Sequence, residues 1–532
     1  MDKSTLAQYG WVVIVIIILV ILMALATPFG QYFSDGTMMI VESLRKLTNI
    51  EQSSTPNGGI QEVITNYASA EIETNEHLYA IGKTQPEYVV AEFNDNYTEV
   101  VITKNGVDSD GIMMNWDIED SNISPMFPHY DTLKTVTING GVKEIGDYLF
   151  YYCMNLDSIS IPADLQHIGA AAFALCTSLP NIELPNNITV IEEETFVGCG
   201  NLQSITIPDG VTAINDDAFK ACKSLKNISL PDSLTTIWSE VFYNCESLEE
   251  IIIPDSVTRI YDRVFVNCKS LKTVELGKGV KLIGTHAFTN CSNIENVTLS
   301  ESMEYIGFNM FSGCTNLSKI TVPENIKTIR HDAFNGCTKL NNIILPNNIS
   351  YIGYDAFYNT AYYNNENNWN NNVLYFENYL LDSKPELSGN YQINNNTKVI
   401  AEKSFDNCGL LTGIIIPDNI IEIPEQAFAN CTGLKDITFS KNITNIRYQA
   451  FYGCSALESI ILPNKVTKLY SSAFKNCTNL KSVTLPESLT EMEVYPDSAS
   501  FAYCTNLTTV YGKTGSYAET WATNNGYTFI AI

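Results

Sequence analysis

The sequence predicts a parallel β-solenoid, capped at both ends and preceded by an apolar N-terminal helix, on three observations. The first is a repeat: from Cys153 the cysteines at 176, 199, 222, 245, 268, 291, 314 and 337 fall every 23 residues, and the count resumes at 408, 431, 454 and 477. Counted from each cysteine as zero, apolar residues recur at offsets 3, 6, 8, 12, 15, 19 and 20, with proline usual at 9. Fixed self-similarity at this period marks units too small to bury a core alone, which must stack on their neighbours. The second is the alternation Leu225, Ile228, Leu230, which reads as a short strand stopped at Pro231. The third is the return path. Pro231, Asp232 and Ser233 turn the chain, and Leu234, Ile237, Val241 and Phe242 bring it back through a second extended piece and a helix-like turn that plugs the interior with phenylalanine. Equivalent coils pair their strands in parallel, about 4.8 Å apart.

The pattern Leu-x-x-Ile-x-Ile-Pro-x-x-Val-Thr-x-Ile-x-x-x-Ala-Phe-x-x-Cys, met nearly letter for letter from Asn201 to Cys222, resembles the Treponema-type leucine-rich repeat of BspA-like bacterial surface proteins. The resemblance covers roughly Tyr88 to the C-terminus. It implies a curved leucine-rich-repeat solenoid, mostly short parallel β with turns and short helical segments, with a surface-exposed binding or adhesion role and no catalytic residues.

Residues 1–50 are a different material, read as an apolar anchor or signal helix and stalk. Trp11 to Ala26 is an unbroken apolar run of 16 residues, at the lower edge of what spans a bilayer. Ala24-Leu25-Ala26 fits a signal-peptide cleavage site, yet the preceding charge is only Lys3 offset by Asp2. Ile40, Leu44 and Leu47 on one helical face favour an uncleaved anchor, and either reading exports the repeats. Gln8-Tyr9-Gly10 before the run also resembles a pilin-like start, although Val15 stands where that family carries glutamate.

Residues 51–129 form a linker and N-terminal cap. Ser53 to Gly59 is a linker by composition, and Tyr88 to Phe93 with Glu99 to Lys104 reads as a hairpin around Asn94-Asp95-Asn96, placed to cover the exposed face of the first coil. Residues 130–360 are the first repeat block, whose opening coil has Tyr130 at the cysteine position. Residues 361–390 are an irregular island rich in asparagine and aromatics. There Val373-Leu374-Tyr375-Phe376 and Tyr379-Leu380-Leu381 suit a hairpin lying on the solenoid, most simply as structural filler. Residues 391–510 are the second block, with four residues inserted near Val494 to Asp497. Residues 511–532 are a C-terminal cap: Ser516 and Glu519 form a capping box, Asn525-Gly526 ends the helix, and Tyr527 to Ile532 is a last strand.

Thirty-one basic against 59 acidic residues leave a net charge of −28, which argues against nucleic-acid binding, since phosphate is met by cations. All fourteen cysteines lie at offset zero, where each thiol has two equivalent neighbours and no pairing is specified. They are read as buried, reduced, small apolar residues. The spacing suits no zinc site, no cofactor is expected, and the five histidines, His77, His129, His167, His286 and His331, share no offset. No enzyme is expected.

One phenylalanine at offset 20 in each of fifteen coils, from Phe150 to Phe501, predicts fifteen buried rings. The candidate binding residues flank the buried position at offset 15: Trp238, Tyr261, Tyr305, Phe308, Tyr351 and Tyr354, with Tyr448 and Tyr470 beyond. Exposed aromatics stacked along an edge offer large contact area for little ordering entropy, although packing on one another is the simpler use for them. The reading is an exported binding protein or adhesin, tethered to the membrane through its N-terminal helix, that recognises a protein or carbohydrate. The alternative is a structural or assembly component of the envelope or of a pilin-like surface structure.

Overall fold

The computed structural model describes residues 77–107, 109–117, 124–493 and 497–532. The apolar run at 11–26, the linker at 53–59 and the insertion at 494–496 lie outside them. Among the described residues no helix is long and apolar enough to cross a membrane. Residues 77–115 and 125–532 make one unit, a parallel-strand solenoid of about 17 turns. Each coil supplies a first strand, such as Ser204–Thr206, and a two-residue second strand, such as Ala213–Ile214. Both pair with the residues one repeat further on, Ile205 with Ile228 and Ile214 with Ile237.

All fifteen phenylalanines at offset 20 are buried. Within each block they stack face to face, from 5.0 Å between Phe405 and Phe428 to 5.7 Å between Phe219 and Phe242. Beside this column runs a second one of thiols. Cys222 Sγ donates to the Phe196 carbonyl at 3.2 Å and Cys291 Sγ to the Phe265 carbonyl at 2.9 Å, and the same link recurs through both blocks. A thiol is small enough for the column and supplies a donor that alanine lacks. Burial pushes Cys199 and Cys454 up to about 12, so the thiols stay protonated.

The expected helix-like turn is a run of tight turns instead. Offsets 18 and 22 take left-handed backbone in coil after coil, for example Asp217 at φ 58° with Ala221 at φ 59°, and Glu240 at φ 56° with Asn244 at φ 60°. No α-helix accommodates two such residues in five. The same conformation explains why asparagine and glycine recur at offset 22, and it lets Asn267 Nδ2 donate to Asn244 Oδ1 at 2.8 Å and Asn290 Nδ2 to Asn267 Oδ1 at 3.1 Å.

The N-terminal hairpin forms from Val89–Phe93 and Glu99–Lys104, and its second strand pairs in parallel with Thr135–Ile138, so it extends the first sheet. Val89, Ala91, Phe93, Val100 and Ile102 are buried there. At the other end the helix Tyr517–Asn524 sets Trp521 5.4 Å from Phe501, ending the phenylalanine column, and Thr528–Ala531 adds a last parallel strand. The capping box is not made: Ser516 is the N-cap without a side-chain bond, and Glu519 Oε2 accepts at 2.6 Å from the backbone N–H of Gly515, the residue before the N-cap.

The island is not an appendage. Val373–Phe376 and Tyr379–Ser383 pair as a hairpin, and Tyr379 and Leu380 pair in parallel with Val399 and Ile400. Val373, Leu374 and Leu380 are fully buried, and Val373 and Leu380 belong to a core that continues to Ala522. The hairpin therefore acts as an extra turn, which, with the terminal strand, is why the turns outnumber the fifteen phenylalanines.

Candidate functional site

The candidate aromatics sit where the second strand leaves its coil, on either side of the buried residue at offset 15. The structure gathers them into two groups rather than one strip. Trp238 and Tyr261, at offset 16 of adjacent coils, stack at 4.4 Å and 6° and are half-buried. The next residue in that row is Gly284, where a Cβ would stand 2.4 Å from Asp262 Oδ1 and 2.6 Å from backbone, so no aromatic can continue the stack. Tyr305 pairs with Thr328 across the strands and, among the described residues, has no ring neighbour.

The second group lies at the seam between the first block and the island. His331 occupies offset 17, between Phe308 and Tyr354 in the same row, and its ring lies 5.0 Å from Phe308 and 4.1 Å from Tyr354. Its Nε2 is 2.9 Å from the Tyr351 hydroxyl and 2.6 Å from Glu402 Oε2. Arg330 lies over Phe308 at 5.5 Å and over Tyr351 at 5.6 Å, and the Lys403 ammonium stands 3.6 Å from the centre of the Tyr354 ring. Three of the six candidates, Phe308, Tyr351 and Tyr354, thus meet around one histidine and two cations. Further along the edge, Tyr470 is covered by Arg447 at 4.7 Å and Lys468 at 4.5 Å, while Tyr448 is exposed.

Glu402 and Lys403 arrive from beyond the island: the Glu402 backbone N–H donates to the Ile352 carbonyl at 3.1 Å, docking the second block on the first. Burial raises the Tyr351 hydroxyl, with the Glu402 carboxylate adding to it, and burial likewise raises Tyr354, Asp355 and Glu425. Asp382, which accepts from the Tyr363 hydroxyl at 2.8 Å, is pushed up to about 6 by burial. His331 was legible as the row mate of Phe308 and Tyr354, one repeat from each. Glu402 and Lys403 were not, because the 30-residue interruption hides their row. Among the described residues no three His, Cys, Asp or Glu side chains come together as metal ligands. What the arrangement offers is an aromatic and polar surface.

A two-column parallel solenoid with this repeat defines a leucine-rich-repeat protein. The family model for the BspA type leucine rich repeat region matches residues 143–272, 260–388 and 398–519, and the chain belongs to that family. Among solved structures it is similar to a leucine-rich repeat protein from Bacteroides ovatus, at 24% identity over 84% of this chain and 98% of that one, with a TM-score of 0.36. It is also similar to a leucine-rich cell surface protein from Faecalibacterium prausnitzii, at 24% identity over 82% of this chain and 95% of that one, TM-score 0.35. The leucine-rich repeat protein of T. pallidum is 23% identical over 49% of this chain and 91% of its own, TM-score 0.27. No curated protein matches the chain.

Proposed function

We propose that this is an exported, cell-surface-tethered binding protein that takes a protein or carbohydrate partner on its aromatic edge, held to the membrane by the apolar run at 11–26. The observation that carries this is the group around His331: Phe308, Tyr351 and Tyr354 are half-buried and fixed by ring, hydroxyl and cation contacts. Aromatic area held rigid before binding loses little entropy when a partner covers it. Membership of the BspA-type family supports the surface location.

The test is capture from a panel of extracellular-matrix proteins and glycans by the parent and by the triple variant Trp238→Ala, Tyr305→Ala, Tyr351→Ala. The variant should keep its circular-dichroism spectrum and lose capture. A folded variant that captures as the parent does sinks the reading, and reversible self-assembly of the parent without capture would favour an assembly component instead.

A further inference from the structure

Below the seam lies a cavity of about 40 Å³, lined in part by Tyr354, Asp355, Tyr363, Asp382, Glu402 and Lys403. A single water needs roughly 10–15 Å³, and small-molecule sites run to several hundred. The space therefore admits one charged head group and nothing larger. Its wall chemistry is lopsided, with three carboxylates facing a single ammonium. Glu402 is 6% exposed, and its Oε2, 2.6 Å from His331 Nε2, has no hydrogen bond among the described residues. Asp382 accepts from the Tyr363 hydroxyl and the Ser383 N–H, both neutral donors, and among the described residues neither it nor Asp355 is in an ion pair. Among the described residues Lys403 makes no ion pair either; its ammonium lies on the face of Tyr354. Glu402 is buried and Asp382 partly so, and carboxylates with so little water gain most from a cation brought directly onto them, while Asp355 holds the exposed rim; an aromatic wall adds cation–π attraction.

We propose that the seam cavity receives a lysine or arginine side chain of a protein partner, with Asp355 and Asp382 as its anionic wall, Tyr354 as its aromatic wall and Lys403 as a displaceable internal occupant. The proposal rests on the binding reading above and narrows it to a basic protein partner. Asp355 has φ 54°, a conformation asparagine accepts, and an asparagine at 382 keeps the Ser383 N–H on its Oδ1 while its Nδ2 donates to the Tyr363 hydroxyl, which turns to accept. The double variant Asp355→Asn, Asp382→Asn therefore retains the fold.

Calorimetric titration with tetralysine peptide at low salt tests it. The double variant should bind about tenfold more weakly than the parent. Removing the occupant with Lys403→Met should tighten binding about threefold, whereas Lys441→Met, at an exposed ion pair with Asp418, changes net charge equally and should leave binding as in the parent. Equal binding by the double variant, or a Lys403→Met effect no larger than that of Lys441→Met, overturns the cavity proposal while leaving matrix capture by the parent untouched.

Discussion

An interior coil and the seam coil solve the same problem with different groups. Inside a block, Phe265 lies between Phe242 at 5.3 Å and Phe288 at 5.1 Å, and Cys268 Sγ donates to the Phe242 carbonyl at 3.2 Å. The ring face and the carbonyl that a coil leaves open are closed by its copies. At the seam Phe357 has, among the described residues, a ring neighbour on one side only, Phe334 at 5.4 Å. Thr360, in the cysteine place, turns its hydroxyl to its own coil's Phe357 carbonyl at 2.8 Å, and Cys408 meets Ser383 Oγ at 3.1 Å instead of a phenylalanine carbonyl. The difference teaches that the repeat is stable through identity of neighbours. Where identity fails, polar and charged side chains enter, and the seam is also where the candidate site and the cavity lie.

The largest expected effect breaks the interior. Phe265→Ala should cost about 3 to 5 kcal/mol, whereas Phe357→Ala, losing one stacked ring rather than two, should cost about 1 kcal/mol less. Denaturant unfolding of both variants checks this, and equal losses would mean that the seam is packed as tightly as the interior.

The next effect belongs to the seam alone. Burial raises Asp382 from its unfolded value of 3.8 to about 6, so its proton is held more tightly in the folded protein. That contribution to stability is complete below pH 3.8 and is lost as the pH rises through 6. Asp382→Asn removes the titration and should stabilise the protein by about 2 to 3 kcal/mol at pH 8, with no gain at pH 3.5. Unfolding measured at both pH values checks it, and a gain independent of pH would assign the effect to packing.

The smallest effect tests whether an interior coil improves when made more like its neighbours. Ala221 holds φ 59°, and Asn244 directly follows it in the row. Ala221→Asn should stabilise by about 0.5 to 1 kcal/mol, from easier left-handed backbone and an added rung on the asparagine ladder. A shift of the unfolding midpoint toward lower denaturant would show that alanine is preferred there for packing.

The amino-acid sequence by itself determined the period, the two strands per coil, the buried phenylalanine and cysteine columns and both caps. These follow from residue i lying against residue i+23, so that a one-dimensional pattern is already a statement about contacts. Even His331 could be placed against Phe308 and Tyr354 by counting. Tertiary structure alone decided what lies across the interruption. Whether 361–390 sits outside the stack or within it depends on Val373 and Leu380 finding core space, and only that insertion brings Glu402 and Lys403 onto Tyr351 and Tyr354. It also decided that the edge is two aromatic groups, since the close backbone approach at Gly284 has no signature beyond the glycine itself. Periodic contacts are encoded locally and repeatedly; a contact made once, between segments with no shared register, is set only by how the whole chain packs.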